Sequence, residues 1–125
     1  MKKLNSQMND EERALIHGYL RTQVGQLRGS SHFHDRASER TFSLSEAIEA
    51  VRTGRVIEVN DNPGYRALVR SLNGTCVVVE LTHLRVITVY YNDQSDTHST
   101  LDRSKYTWKQ DIVELVKQLR KKVLG

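Results

Sequence analysis

Cysteine, proline and long apolar runs are nearly absent from this chain of 125 residues. Its one cysteine, Cys76, excludes an internal disulfide framework and a zinc site built from cysteines. The longest apolar run, from Cys76 to Val79, is far too short to span a membrane. Residues 1–7 hold two lysines but no apolar segment, so we expect no secretory signal and a cytoplasmic protein. The length predicts one domain.

The net positive charge of the chain comes from its C-terminal segment. Residues 101–125 carry seven Lys and Arg against three Asp and Glu, whereas residues 1–100 are balanced, and the net charge is +4. Such a basic segment indicates an anionic partner such as RNA or DNA. It is equally typical of a solvated helix whose cations lie at the end that its dipole favours.

Capping residues and apolar spacing predict four helices. The first begins at Asn9 or Asp10 and has a loose apolar face. Ser43 or Ser45 caps the third, with Glu46 three residues after Ser43 as in a capping box, and Gly54 ends it in the C′ position. The last is amphipathic, and we expect its apolar stripe to belong to the core. The predicted helices span 9–28, 32–40, 43–53 and 107–122.

After Gly54 the apolar residues alternate, which indicates strands. Turn signals at Pro63-Gly64 and Asn73-Gly74 separate them. The short connections predict a four-stranded antiparallel sheet with helices packed on it, an α+β fold. The predicted strands span 55–60, 65–71, 75–81 and 84–91.

Alternation also assigns the two faces of this sheet. The face toward the helices is predicted to carry Ile57, Val59, Ala67, Val69, Val77, Val79, Ile87 and Val89. The opposite face is then polar and basic, either as a binding surface or as an ordinary solvated side. It is predicted to carry Glu58, Arg66, Arg70, Glu80, Thr88 and Tyr90.

His32, Arg36 and Arg40 are spaced four residues apart, which on a helix places them on one face. Arginine forks bind phosphate oxygens, and histidine transfers a proton near neutral pH, so the trio suits a phosphodiester. The alternative is an exposed helix face paired with Asp35 and Glu39. The remaining histidines form no pattern.

The run from His32 to Ile48 resembles the opening of the bacterial and phage family called domain of unknown function 4258. Segments 54–58 and 86–90 resemble its later features, and the likeness covers about residues 31–92. It implies a fold related to the barnase, EndoU, colicin and RelE ribonucleases. Residues 1–30 are then a helical extension, and residues 93–125 a loop and a basic helix.

The resemblance implies a metal-independent ribonuclease, a toxin-like effector without a cofactor, in which the RNA 2′-hydroxyl is the nucleophile. His32 acts as general acid or base, and Arg36 and Arg40 bind the scissile phosphate. Thr88 and Tyr90 on the last strand complete the catalytic set by positioning the substrate. Further substrate contacts are expected from Arg55, Arg66, Arg70 and Glu80.

Two other hypotheses remain open. The chain could be a non-catalytic phage or mobile-element protein that binds and inhibits a host protein through residues 1–30 and the C-terminal helix. It could also be a plain nucleic-acid-binding module, which its two Phe, one Trp and five Tyr favour less. The expected partners are therefore RNA, or an antitoxin, immunity or host protein, with no membrane and no metal.

Overall fold

Helices and strands form two layers in this α+β fold. The computed structural model describes residues 2–31, 33–34, 43–60, 65–91 and 112–124. Within them lie the helices α1 (Asp10–Gln23), α2 (Leu44–Thr53) and α3 (Ile112–Leu124). The strands, in the spatial order β1-β3-β4-β5-β6-β2, are β1 (Lys2–Leu4), β2 (Arg28–Gly29), β3 (Arg55–Asn60), β4 (Arg66–Arg70), β5 (Thr75–Glu80) and β6 (Arg85–Tyr91).

The predicted four-stranded antiparallel sheet is only part of this sheet. Strands β3 to β6 do pair antiparallel in sequence order, as predicted. Two further strands flank them, because β1 pairs antiparallel with β3 and β2 pairs parallel with β6. Residues 1–30 therefore supply both outermost strands of the described sheet as well as a helix. These strands have three and two residues, too few to display a period of two.

The predicted first helix ends early. It stops at Gln23, and a 3-10 turn over Val24–Gln26 leads into β2. Its start is as predicted, since the Asn9 side chain accepts from the Glu12 N–H at 2.8 Å and the Glu12 carboxylate accepts from the Asn9 N–H. The helix buries Ile16, Tyr19 and Leu20, whereas the apolar spacing predicts a buried face of Ala14, Leu15, Leu20, Val24 and Leu27. Of that face Ala14 is exposed, and only Leu20 and Leu27 are fully buried.

The second capping box is also confirmed. Ser43 and Glu46 exchange the two hydrogen bonds that begin α2. Gly54 ends this helix, but its backbone is extended (φ −83°) rather than left-handed. Glycine is needed there for close approach, because a Cβ would lie 2.3 Å from the Ala50 carbonyl oxygen and 2.8 Å from Val69.

The inner face of the sheet, which packs against the helices, is built almost entirely from valine. Two predicted members are wrong: Ile57 and Ile87 are half-buried, and Val56 and Val86 take their places in the core. Register shifts in β3 and β6 explain this, because a bulge residue moves the alternation by one position. The inner face consists of Val56, Val59, Ala67, Val69, Val77, Val79, Val86 and Val89.

The C-terminal helix belongs to the core, as predicted. Leu115, Val116 and Leu119 are at most 4% exposed, and α3 packs against α1. Residues 107–111 of the predicted helix lie outside the described residues. No helix within the described ranges is long and apolar enough to cross a membrane.

Candidate functional site

The face of the sheet away from the helices, here called the outer face, carries its side chains in rows across the strands. Residues directly opposite each other on paired strands share a face, so the pairing register defines the rows. One row, here called the basic row, runs across β3 to β6 through Arg55, Arg70, Cys76 and Tyr90. The other two rows are Glu58, Leu68, Val78 and Thr88, followed by Asn60, Arg66, Glu80 and Arg85. These rows contain all six residues that alternation assigns to this face.

Two arginines face each other in the basic row. Arg55 and Arg70 are directly opposite on β3 and β4, and like charges in that position destabilise a sheet. Within the contacts described, the Arg55 guanidinium reaches Asn5 Oδ1 only at 3.4 Å. The pair therefore creates a locally positive surface that suits an anion such as a phosphate.

At the far end of the basic row lie two weak acids, the buried Cys76 thiol and the half-buried Tyr90 phenol. Burial, the neighbouring thiol and the Glu58 carboxylate raise the pKa of Tyr90 to about 12, although Arg70 acts in the opposite direction. Burial also raises the pKa of the Cys76 thiol, despite Arg70 and a hydrogen bond with Tyr90. Both groups stay protonated at neutral pH. Tyr90 is thus a hydrogen-bond donor, and Cys76 is no nucleophile.

Glu58 is a site candidate that the sequence interpretation missed. It lies on the outer face beside the basic row, and its carboxylate is close enough to influence the Tyr90 phenol electrostatically. Glu58 lies opposite Leu68, which Arg66 and Arg70 flank on the same face of β4, and its half-buried carboxylate is a candidate proton acceptor. Alternation had put Glu58 on this face, but a single Glu in a strand gives no functional signal.

Glu80, predicted to bind substrate, is engaged in a turn. Its carboxylate accepts from the backbone N–H groups of Thr82 (2.9 Å) and His83 (2.8 Å). Burial raises the pKa of Glu80, but these hydrogen bonds outweigh it and the net pKa lies below its ordinary value. The same turn contains Leu84 at φ 55°, a strained backbone that Glu80 helps to hold. The structure thus gives Glu80 a structural role.

The start of β3, which carries Arg55, is held by side chains where β1 stops. Strand β1 covers β3 only as far as Glu58. Beyond that point, the Val56 N–H donates to His17 Nε2 (2.9 Å) and the Asn5 side chain donates to the Val56 carbonyl (2.8 Å). His17 and Asn5 therefore replace the missing strand and fix the position of the basic row.

The predicted helical trio of His32, Arg36 and Arg40 lies outside the described residues. The chain just before it is described: Ser30 donates its N–H to the Val86 carbonyl at 2.9 Å, and its hydroxyl accepts from the Phe33 N–H. Ser30 therefore lies beside β6, the strand that carries Thr88 and Tyr90.

The other predicted residues fall on one face. Thr88, Tyr90, Arg66 and Arg70 share the outer face with Arg55. No three His, Cys, Asp or Glu side chains within the described ranges lie together in a way that could hold a metal ion.

Residues 30–94 match the family model described as domain of unknown function (DUF4258). The chain belongs to this family. The match spans β3 to β6, and so it contains the whole basic row, whereas α1 and α3 lie outside it. No curated protein and no solved structure matches the chain. The DUF4258 assignment therefore identifies the family, and the function has to be argued from the site.

Proposed function

We propose that this DUF4258 protein is a metal-independent ribonuclease that holds RNA on the outer face of its sheet. The observation that carries the proposal is the basic row, in which Arg55 and Arg70 lie opposite each other, with Tyr90 at the far end of the row and Glu58 in the next row. A phosphodiester between the two guanidinium groups would turn their repulsion into two charge-assisted contacts. A polynucleotide supplies such groups at regular intervals.

The reaction proposed is attack by the RNA 2′-hydroxyl on its own phosphate. The 2′-oxygen forms a bond to phosphorus while the bond from phosphorus to the 5′-oxygen breaks. A base takes the 2′-hydroxyl proton and an acid protonates the leaving 5′-oxygen, which leaves a 2′,3′-cyclic phosphate and a 5′-hydroxyl. The nucleophile belongs to the substrate, so the chemistry requires no metal-bound water.

Each proposed role follows from the chemistry of the side chain. Glu58 is the proposed general base, and His32 is the proposed general acid. Arg70 binds the scissile phosphate together with Arg36 and Arg40 of the predicted helix. Tyr90, whose pKa of about 12 keeps it protonated, donates a hydrogen bond to a phosphate oxygen. Thr88, Arg55 and Arg66 position the strand.

The decisive experiment incubates the purified protein with total tRNA and rRNA, with and without EDTA. The proposal predicts fragments that end in 2′,3′-cyclic phosphates, in equal amounts under both conditions. RNA methylated at its 2′-hydroxyls is the matched control and must remain intact. Fragments that form only without EDTA, or that end in 3′-hydroxyls, would contradict the mechanism.

We further propose that the enzyme is a toxin-like effector of a bacterial or mobile-element system, restrained by an antitoxin or immunity protein. Its expression in bacteria should arrest growth, and Glu58→Gln should relieve the arrest at equal protein level. If no RNA is cut, the basic row becomes a binding surface. The protein is then better explained as a non-catalytic inhibitor of a host protein.

A further inference from the structure

A cleft of about 520 Å³ opens at the end of the sheet where β3 begins and β4 ends. Helix α1 contributes Arg21 to its lining, and the basic row contributes Arg55 and Arg70. Among the described residues that line the cleft, none is acidic. Its volume falls within the range of about 300–1,000 Å³ typical of ligand sites, which is larger than a lone phosphate requires.

Two of the three arginines in this cleft, Arg21 and Arg55, use few of their hydrogen-bond donors in the contacts described. Arg21 Nε donates to the Arg52 carbonyl at 3.4 Å, and Arg55 donates to Asn5 at 3.4 Å. Both bonds are long. In the contacts described, each of these two guanidinium groups thus uses one of its five N–H donors.

His17 lines the same cleft as a neutral ring. Its Nδ1 lies 2.7 Å from the Arg13 carbonyl oxygen, and its Nε2 accepts the Val56 N–H, which fixes the proton on Nδ1. Burial lowers the pKa of His17; the bond to Arg13 raises it, and the charges of Arg21, Arg55 and Arg13 lower it further. The cleft is thus a positive environment whose charge comes from arginine alone.

Apolar side chains complete the lining. The bulge in β3 turns Ile57 toward the cleft, and Leu72 in the β4–β5 turn lines the other side. Leu72 is 89% exposed, the one large hydrophobic side chain so exposed within the described residues. Guanidinium groups beside exposed apolar surface match a nucleotide, which joins a charged phosphate to a base whose flat faces suit apolar contact.

We propose that this cleft binds one nucleotide of the RNA strand, with its phosphate on Arg21, Arg55 and Arg70 and its base against Ile57 and Leu72. The inference rests on the proposed function, because the strand continues from the cleft along the basic row through the two shared arginines. It adds a subsite built partly by α1, which lies outside the family match.

The test measures binding separately from cleavage. The probe is a fluorescent single-stranded oligoribonucleotide methylated at every 2′-hydroxyl, titrated with wild-type protein at several salt concentrations. Arg21→Gln should weaken binding about tenfold, the loss of one charge-assisted contact. The slope of log K against log salt should become shallower by about 0.7, the share of one phosphate on a single strand.

The matched control is Arg120→Gln, which removes the same charge from an exposed position on α3. Its affinity and salt slope should equal those of the wild type. Leu72→Asp, at a side chain too exposed to affect folding, should weaken binding more than Arg21→Gln because it places a carboxylate beside the phosphate.

The outcomes separate the two proposals. Equal binding by Arg21→Gln and the wild type would overturn the cleft and leave the ribonuclease proposal standing. A loss of affinity in Arg21→Gln, combined with no cleavage of unmodified RNA by the wild type, would support the cleft and overturn the enzyme. A wild type that binds no RNA would overturn both.

Discussion

The two faces of one sheet differ completely in chemistry. The inner face presents seven valines and one alanine, each at most 4% exposed, to the helices. The outer face, made by the alternate residues of the same strands, carries arginines, carboxylates and a tyrosine around the apolar Leu68, Cys76 and Val78. The inner face stabilises the fold through apolar packing against the helices. The outer face carries four arginines against two glutamates, and this positive excess is typical of a surface that binds an anion.

The largest expected effect is loss of the fold when α3 is removed. Deleting residues 112–125 strips Leu115, Val116 and Leu119 from the core. Burial of each contributes about 1.5–3 kcal/mol, a sum comparable to the total stability of about 5–15 kcal/mol for a domain. The deletion should abolish the cooperative melt seen by circular dichroism. An unchanged melt would mean that α3 is a partner surface rather than part of the inner layer.

Substitutions in the proposed catalytic set should lower activity without lowering stability. Glu58→Gln and His32→Ala should each lower RNA cleavage by about 10²–10⁴, the usual contribution of an acid or base. Arg40→Lys should rescue little, since lysine keeps the charge but loses the fork. Initial cleavage rates and melting temperatures should be measured on the same preparations. Full activity in either variant, or losses that follow unfolding, would remove that residue from the mechanism.

Substitutions at two adjacent valines on β5 allow the closest comparison of the two faces. Val77 is fully buried on the inner face, and Val78 is half-buried on the outer face. Val77→Thr buries a hydroxyl among apolar side chains and should lower the free energy of unfolding by about 1–3 kcal/mol. Val78→Thr should change it by less than about 0.5 kcal/mol. Urea denaturation measures both, and equal losses would show that the faces are not distinct.

The smallest expected effect is a pH dependence from His17. Its pKa is lowered in the folded protein, so as pH falls below about 6.5 the unfolded chain takes up a proton that the folded state resists. The stabilisation is complete above that pH and is lost as pH falls. His17→Gln should be less stable at mildly alkaline pH, and its unfolding free energy should fall less on acidification. A parallel fall in both proteins would assign the effect to other groups.

Sequence patterns that depend on a few neighbouring residues predicted the helix starts and strand starts correctly. Asn9, one of the two predicted caps, begins α1, the capping box at Ser43 forms as predicted, and the four central strands begin within one residue of their predicted positions. The bulges at Ile57 and Ile87 were not foreseen, because an inserted residue looks like ordinary alternation until the partner strand is known.

The candidate site was predictable only as a face. Alternation placed Arg66, Arg70, Thr88 and Tyr90 on one side of the sheet, and pairing brings Tyr90 into the same row as Arg70. No pattern in the sequence indicates the cleft, because Arg21, Arg55 and Arg70 are widely separated in the chain and no spacing rule joins them. The pairing of β3 with β4 joins Arg55 to Arg70, and the packing of α1 against β3 adds Arg21.

Arginine side-chain NMR tests most directly whether RNA binds the outer face. The Nε–H signal of each arginine is followed while the 2′-methylated oligoribonucleotide is added. RNA bound on the outer face and in the cleft should cause large shifts for Arg55, Arg66, Arg70 and Arg21. The signals of Arg28, Arg52 and Arg120 should change little. Shifts confined to the second group, or spread evenly over both, would contradict it.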